Sequence, residues 1–262
     1  MRVSHSELTT YLTCPRKHHH AYRDRRVPRV KSDALTTGAR VDKALKGDTI
    51  TLPPLERALV DGYRARWKQS PLNETAQGVW FEVEAKPGVT IVGELDAIGV
   101  DDNGDEFIIE RKTSGEDISA KSMFWHRFLK LDPQVSTYLM ARPTAKYVLV
   151  DAMKKSALRG KKDETDLELY ERSAEAIANN IDAHYHRRVI VRFPHEHAAH
   201  MRDVFGTVRL IQIADEDMRY GVMPPRNTKA CLAYGKTCEY MPVCDGSTTI
   251  DDPRYETKGK RQ

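Results

Sequence analysis

The 262-residue sequence has only four cysteines, no low-complexity tract and no apolar run near the roughly 20 residues needed to span a bilayer. Its first residues, Met1 to Ser6, lack the apolar core of a secretory signal. Lysine and arginine number 42 against 38 for aspartate and glutamate, a balance that permits a nucleic-acid partner without demanding one. We therefore expect a cytoplasmic protein with a hydrophobic core rather than a membrane, disulfide-rich or disordered chain.

Periodicity predicts a mixture of helices and strands. Helices are predicted from Ser4, where a capping-box pattern begins, and over 34–45, 54–69, 117–142, 173–186 and 195–220. Strands are predicted over 78–86, 89–100, 105–112, 147–150, 165–170 and 189–193, with a hairpin turn at Asp101–Gly104. We expect a single domain with a helical N-terminal element at 1–75, an α/β core at 76–195, and a helix with a cysteine-rich segment at 196–250.

Acidic groups and a lysine fall on two neighbouring predicted strands. Glu110 and Lys112 share one strand face because they are two residues apart, while Arg111 faces the other way. Magnesium or manganese takes oxygen ligands, so Asp96, Glu110 and the carbonyl of Arg111 are candidate ligands. A lysine beside the metal, here Lys112, could assist phosphodiester hydrolysis. By itself, the tripeptide from 110 to 112 favours a solvated strand edge with alternating charges.

Three further side chains belong with this group. Gln134 and Tyr138 lie one helical turn apart on a common face, although such a pair is ordinarily a surface residue and a core residue. Glu94, two residues before Asp96, shares its side of the strand and competes with it as a ligand.

The cysteines are unevenly placed. Cys231, Cys238 and Cys244 crowd into an aperiodic C-terminal segment, and Cys14 stands alone near the start. Four thiolates suit zinc or an iron–sulfur cluster, but the close Cys-x2-Cys pairs common in zinc sites are absent from the sequence. Four unrelated thiols are the alternative.

Positive residues follow the first helix: Arg16, Lys17, Arg23, Arg25, Arg26, Arg29 and Lys31. Such a stretch either tracks a DNA backbone or is a solvated face. The run His18-His19-His20 is interpreted as a solvated face.

The order and spacing of these motifs resemble the PD-(D/E)xK nuclease superfamily, and within it the RecB-like exonucleases that carry an iron–sulfur cluster. The resemblance covers Leu8 to about Cys244 and rests on Gly93-x-x-Asp96, Glu110-x-Lys112, Gln134-x-x-x-Tyr138 and the cysteines that begin with Cys14-Pro15. It implies a restriction-endonuclease-like core, with a mixed central sheet flanked by helices.

The resemblance also implies roles for individual residues. Asp96 and Glu110 would bind Mg²⁺ or Mn²⁺, Lys112 would be the catalytic lysine, and Gln134 and Tyr138 would contact DNA near the scissile phosphate. The residues Cys14, Cys231, Cys238 and Cys244 would hold a [4Fe–4S] cluster that staples the C-terminus to the N-terminal helices.

Two departures from the family pattern leave alternatives open. The family's Gly-x-x-x-His element is matched by Gly38 with Asp42 in the histidine position, and Asp42 is either a metal ligand or a helix-surface charge. The C-terminal cysteine spacing differs from the usual Cys-x2-Cys-x5-Cys, which leaves zinc open beside the cluster.

The resemblance implies a metal-dependent DNA exonuclease acting in recombination, repair or phage DNA processing. Relatives often work with a helicase or a single-strand annealing protein, although no residue of this chain names one. The alternatives are a non-catalytic DNA-binding recombination accessory protein that retains the nuclease fold, which Asp42 keeps open, and a zinc-stapled structural protein.

Overall fold

The computed structural model describes residues 1–30, 33–233 and 236–259. They fall into two compact units, a terminal unit from 1–31, 83–92 and 198–262, and a central unit from 32–82 and 93–197. The expectation of a single domain stays a prediction. None of the described helices is long and apolar enough to cross a membrane.

The helices are α1 (His5–Thr13), α2 (Pro15–His18), α3 (Asp33–Leu45), α4 (Pro54–Arg66), α5 (Met123–Lys130), α6 (Pro133–Ala141), α7 (Asp166–Asn179), α8 (Ile181–His184), α9 (Pro194–Arg219) and α10 (Met241–Cys244). A π-helical turn covers His19–Arg23 and a 3₁₀ turn covers Thr228–Ala230. The strands are β1 (Arg2–Ser4), β2 (Arg26–Pro28), β3 (Glu74–Lys86), β4 (Val89–Val100), β5 (Glu106–Ser114), β6 (Tyr147–Lys154), β7 (Tyr185–Ile190) and β8 (Tyr255–Thr257).

Six of the described strands form one mixed sheet, in the order β1-β4-β5-β6-β7 with β3 also paired to β4. The β4–β5 and β6–β7 pairs are antiparallel, whereas β1–β4 and β5–β6 are parallel. A parallel pair needs a crossover connection, and the helices α5 and α6 lie between β5 and β6 in the chain. The predicted α/β fold with a mixed sheet and helices is thus confirmed.

The turn at Asp101–Gly104 sets the β4–β5 hairpin as predicted. The Asp101 carboxylate accepts hydrogen bonds from the backbone N–H of Asn103 (2.9 Å) and Asp105 (3.0 Å), and Gly104 has a φ of 80° that suits glycine. Upstream, Gly93 allows close packing, because a Cβ there would lie 2.6 Å from Phe81 Cζ. The turn and Gly93 together fix the position of β4, the strand that carries Asp96.

Helices α3, α4 and α7 pack with β6 and β7 into one hydrophobic core cluster of the central unit. Its buried members are Val41, Ala44, Ala58, Leu59, Val60, Met153, Ile177 and Tyr185. The Tyr185 hydroxyl donates to the Leu59 carbonyl (2.7 Å), so the one polar atom of this large side chain is satisfied. This packing fixes α3, the helix that carries Asp42.

Several predicted elements differ from the structure. Residues 165–170 alternate like a strand but begin helix α7, because Thr165 and Glu168 form a capping box in which each side chain accepts from the other's backbone N–H (3.3 and 2.8 Å). The helix predicted over 117–142 is two helices, with Asp132 capping the second at Pro133. The last strand of the sheet is 185–190 rather than 189–193.

The histidine run is buried, so its interpretation as a solvated face is wrong. His18, His19 and His20 are 3%, 8% and 4% exposed in the terminal unit. His18 Nε2 lies 3.1 Å from a Glu7 carboxylate oxygen, and His20 Nδ1 lies 2.8 Å from one of Asp24. These contacts with the carboxylates of Glu7 and Asp24 offset part of the cost of burying the His18 and His20 rings.

Much of the basic stretch is neutralised within the same unit. Arg23 donates to Asp215 (2.6 and 2.8 Å) and to Glu7 (3.1 Å), and the partners of Lys17 and Arg26 are Glu239 and Asp251. Lys31 lies outside the described residues. These ion pairs leave less of the positive charge to bind a phosphate backbone.

A buried ion pair on β6 gives a stability prediction. Asp151 is fully buried, and its Oδ2 accepts from the Tyr63 hydroxyl (2.5 Å) and Arg187 Nε (3.1 Å). Removing one partner of a buried pair leaves the other charge uncompensated, so Asp151→Ala should lower the free energy of unfolding by about 3–5 kcal/mol. Urea denaturation measures the loss.

The matched control is Asp182→Ala. Asp182 pairs with Arg66 (2.8 Å) but its side chain is 78% exposed, so the change should cost less than about 1 kcal/mol. Equal losses in the two variants would contradict the importance of the buried network.

Candidate active site

Asp96 lies where the β4–β5 ladder stops. Backbone pairing runs from Val100 with Glu106 to Ala97 with Ile109. The next position in this register would place Asp96 opposite Glu110, but there the Asp96 carboxylate itself accepts the backbone N–H of Arg111 (2.8 Å). A side chain thus takes the place of a ladder partner, and the two acidic residues meet at the point where the strands part.

Glu110 is the most buried carboxylate of the site. It is 3% exposed and forms an ion pair with Lys112, on the same face of β5 as predicted. Its second oxygen, Oε2, is buried without a hydrogen-bond partner among the described residues. Burial raises the pKa of Glu110 to about 7; Lys112 opposes the shift, Asp96 adds to it, and the nearby Tyr138 hydroxyl also opposes it.

Lys112 connects the strand to helix α6. Its ammonium donates to Gln134 Oε1 (2.8 Å), and Gln134 Nε2 donates to the Tyr138 hydroxyl (2.6 Å). That hydroxyl in turn donates to the carbonyl of Glu94 (3.2 Å). Burial lowers the pKa of Lys112, but the neighbouring Glu110 outweighs it and the net direction is upward. The lysine is therefore held as a cation.

The predicted helical face of Gln134 and Tyr138 points into this network. Asp132 caps α6 by accepting from the N–H of Gln134 (2.8 Å) and Val135 (3.2 Å), which fixes the start of the helix. Tyr138 is 5% exposed and its ring packs edge-on to Phe81. The tyrosine is thus both a core residue and a member of the site's hydrogen-bond chain.

Asp42 reaches the site from helix α3. Burial raises the pKa of Asp96, the Arg111 N–H opposes that shift, and the charge of Asp42 adds to it. Asp42 Oδ2 lies 2.8 Å from Lys46 Nζ, and Asp42 Oδ1 is buried without a partner among the described residues. Lys46 belongs to none of the sequence motifs, although its position four residues after Asp42 is a signal for a helical ion pair.

Glu94 has a different position from its neighbour. It is exposed, and its Oε1 lies against Gly78 of the adjoining strand β3. Its backbone carbonyl, rather than its carboxylate, receives the Tyr138 hydroxyl. Of the two competitors on β4, Asp96 is the one whose carboxylate joins the Glu110 group.

Arg111 faces the opposite side of the sheet, as predicted. Its guanidinium is buried and forms an ion pair with Glu74. Burial lowers the pKa of Arg111, but Glu74, with a smaller contribution from Asp151, outweighs it and the net direction is upward. The side chain is thus removed from the acidic face, which leaves the Arg111 carbonyl as the group that could serve a metal.

The residues on the acidic face suit a hard cation. No group of three or more histidine, cysteine, aspartate or glutamate side chains in the described part of the chain is disposed to hold a metal ion. Magnesium, however, is commonly bound by one or two carboxylates, with waters and substrate oxygens completing the shell. Asp96 supplies one carboxylate, and the unpartnered Oε2 of Glu110 is a buried acceptor that a cation would satisfy.

The four cysteines are free thiols of the terminal unit. The backbone N–H of Asn227 donates to Cys14 Sγ (3.4 Å), and the Asn227 carbonyl accepts from Cys231 Sγ (3.7 Å). Burial raises the pKa of the Cys244 thiol, Arg16 opposes that shift, and Cys14 and Cys231 add to it. Cys231 likewise contributes to the raised pKa of Cys238, after burial and Glu239. The fold thus gathers the distant Cys14 with the C-terminal three.

The sequence model of the PD-(D/E)XK nuclease superfamily matches residues 2–77 and 51–245. The chain belongs to this superfamily. The motifs of the acidic face therefore lie within the region that defines it, and the nuclease part of the resemblance is confirmed.

Solved structures add a fold comparison. The fold is similar to that of a putative exonuclease from Eubacterium rectale, with a TM-score of 0.56 and 14% identity over 95% of this chain and 89% of that chain. A phage-related exonuclease from Haemophilus somnus 129PT matches at a TM-score of 0.42 and 13% identity over 82% and 96% of the chains. The alkaline exonuclease LHK-Exo from Laribacter hongkongensis matches at 0.37 and 14% over 78% and 90%. The last two scores are too low to carry an argument, and no curated protein matches the sequence.

The raised pKa of Glu110 predicts a pH dependence of the metal-free protein. The folded chain holds the Glu110 proton up to about pH 7, whereas the unfolded chain releases it near 4.5. Stability from this group is complete below pH 4.5 and is lost as the pH rises to about 7. Glu110→Gln cannot ionise, so the unfolding free energy of wild type minus variant should fall across that window, in chelator.

A flat difference across the same window would contradict the burial of an unfavourable charge. Asp182→Asn, which removes the charge of an exposed carboxylate, serves as the control for the loss of one negative charge.

Proposed function

We propose that the protein is a metal-dependent nuclease that hydrolyses DNA phosphodiester bonds from a strand end. The observation that carries the proposal is the buried Glu110 carboxylate, which has an unpartnered oxygen, a lysine counterion and Asp96 beside it. Membership of the superfamily supports hydrolysis. Exonucleolytic action draws on the sequence resemblance and on the fold shared with a putative exonuclease.

Asp96, Glu110 and the carbonyl of Arg111 would hold Mg²⁺ or Mn²⁺, with Asp42 at the edge of the same group. When bound, such an ion acts as a Lewis acid toward the phosphate and lowers the pKa of a coordinated water. Asp96 is already oriented by the Arg111 N–H, so one of its oxygens is fixed and the other is available.

Lys112 would act as a fixed positive donor rather than as a base. Its pKa is raised, so it remains an ammonium at neutral pH and cannot accept a proton from water. Held by Glu110 and Gln134, it is suited to orient the attacking water and to stabilise negative charge that develops on the phosphate. Gln134 and Tyr138 are positioning residues through this contact and are proposed to contact the DNA strand.

Replacing the lysine tests the mechanism. Lys112→Ala removes the positive charge that pairs with Glu110 and Gln134, and we expect at least about a hundredfold loss of cleavage rate, the scale of one electrostatic donor. End-labelled linear DNA with Mg²⁺ or Mn²⁺ measures the rate and the polarity. Circular dichroism confirms that the variant is folded.

Lys162→Ala is the control, since Lys162 is exposed in a turn of the same unit and should leave the rate unchanged. Equal cleavage rates for wild type and Lys112→Ala would contradict the proposed role of Lys112. Binding of DNA without cleavage by either protein would favour a non-catalytic accessory protein, the reading that Asp42 in the histidine position keeps open.

We also propose that Cys14, Cys231, Cys238 and Cys244 hold a [4Fe–4S] cluster. The support is that four unoxidised thiols lie in one unit, with Cys14 and Cys231 both hydrogen-bonded to the backbone of Asn227. A cluster places several iron and sulfide atoms between its thiolates, so it suits thiols spread more widely than those around a single zinc ion. Zinc in the same position is the competing assignment.

Metal analysis after anaerobic purification separates the two assignments. We expect a coloured protein with about four irons and four sulfides per chain, and Cys238→Ser should lose the colour because one thiolate is removed. Ser247→Ala, in the same segment, is the control and should keep it. A colourless wild type with one zinc would contradict the cluster.

A place in recombination, repair or phage DNA processing, and a helicase or annealing protein as partner, remain proposals based on the sequence resemblance.

A further inference from the structure

Lys46 is a second lysine at the acidic face, and neither the sequence motifs nor the comparisons give it a role. It lies one turn after Asp42 on α3, with its ammonium 2.8 Å from Asp42 Oδ2. Burial lowers its pKa, but Asp42, Asp96 and Glu94 act together in the opposite direction and the net shift is upward. Lys46 therefore stands within the field of several carboxylates, not only of its helical neighbour.

The carboxylates of the site explain why a second positively charged side chain, in addition to Lys112, is needed there. The Asp96 carboxylate lies within the electrostatic reach of both Asp42 and Glu110, and Asp42 makes ionisation of Asp96 harder. Lys112 is the partner of Glu110, and Lys46 is the partner of Asp42. Without Lys46, the third carboxylate would be half-buried beside Asp96 with no counterion.

The pair is incomplete in a way that points to a further ligand. Asp42 uses Oδ2 for Lys46, while Oδ1 is buried and has no hydrogen-bond partner among the described residues. The lysine side chain is 20% exposed and carries its charge on a long, flexible stem. It can leave Asp42 without unfolding the helix.

We propose that Lys46 is the resident counterion of Asp42 in the metal-free protein and that the divalent cation displaces it. This inference rests on the proposed function, since it takes the metal from there. Lys46 competes with the cation for Asp42, and thereby sets how tightly the site binds the metal. It is a positioning residue that acts through Asp42.

The alternative is an ordinary helical ion pair between residues four apart. Such pairs stabilise a surface helix slightly and have no bearing on a metal. The two cases differ in one measurable quantity, the affinity for the cation. A competing counterion weakens that affinity, whereas a pair that only supports the helix leaves it unchanged.

Isothermal titration with Mn²⁺ on the full chain tests the proposal. Lys46→Met should bind Mn²⁺ about tenfold more tightly, because one nearby positive charge is removed. In chelator, the melting temperature of Lys46→Met should fall below that of wild type. Adding Mn²⁺ should raise the melting temperature of the variant by more than it raises that of wild type. Lys46→Arg keeps the positive charge of the side chain, so its Mn²⁺ affinity and its melting temperature should both return towards the wild-type values.

Lys43→Met is the matched control. Lys43 lies on the same helix but is exposed, so its loss changes the net charge of α3 without touching the site and should leave the Mn²⁺ affinity near wild type. Unchanged or weaker Mn²⁺ binding by Lys46→Met would overturn the proposal.

The double variant Asp42→Asn/Lys46→Met provides a second test that does not depend on the single variant being stable. Removing the carboxylate together with its counterion should restore the metal-free melting temperature, and should bind Mn²⁺ more weakly than Lys46→Met. Equal affinity of these two variants would show that Asp42 is not a ligand and would overturn the proposal. A wild type that binds no Mn²⁺ would overturn the metal-dependent function as well.

Discussion

The acidic face depends on keeping the Glu110 carboxylate buried in the middle of a sheet. A lone ionised carboxylate in such a position is strongly disfavoured, and the pKa of about 7 shows that Lys112 compensates only part of this cost. The rest of the site can be understood from that constraint. Lys112 must stay charged, Gln134 must hold it, and a divalent cation would satisfy the oxygen that the protein leaves without a partner.

Strand β5 serves two environments at once. Its acidic face carries Glu110 and Lys112, while Arg111 between them turns to the other side and pairs with Glu74. The Arg111 N–H meanwhile orients Asp96 across the opening of the hairpin. All these contacts are made by residues 110–112 of β5. The Arg111–Glu74 ion pair on one face of the sheet therefore helps to position Asp96 and Glu110, the proposed metal ligands, on the other.

Local signals in the sequence predicted the parts of the site that local geometry controls. The hairpin followed from the turn at Asp101–Gly104, the shared face of Glu110 and Lys112 from the period of a strand, and that of Gln134 and Tyr138 from the turn of a helix. The same rules failed at 165–170, where alternation outweighed the capping box at Thr165. They also missed the burial of His18 and its neighbours, which depends on Glu7 and Asp24.

Lys46 illustrates why the rest of the site could not be predicted from the sequence. Its spacing from Asp42 indicates a helical ion pair, but only the packing of α3 against the sheet, at β5, brings that pair into the field of Asp96. The position of Cys14 with the C-terminal thiols is likewise a matter of tertiary contacts, made through Asn227. Spacing identifies such residues, and the fold decides what they face.

The central claim is that Asp96 and Glu110 bind the cation on which cleavage depends. Anomalous diffraction from crystals containing Mn²⁺ tests it most directly, because it locates the ion without relying on activity. The account predicts a peak within bonding distance of both carboxylates and of the Arg111 carbonyl. Manganese bound elsewhere, with Glu110 still paired only to Lys112, would contradict it.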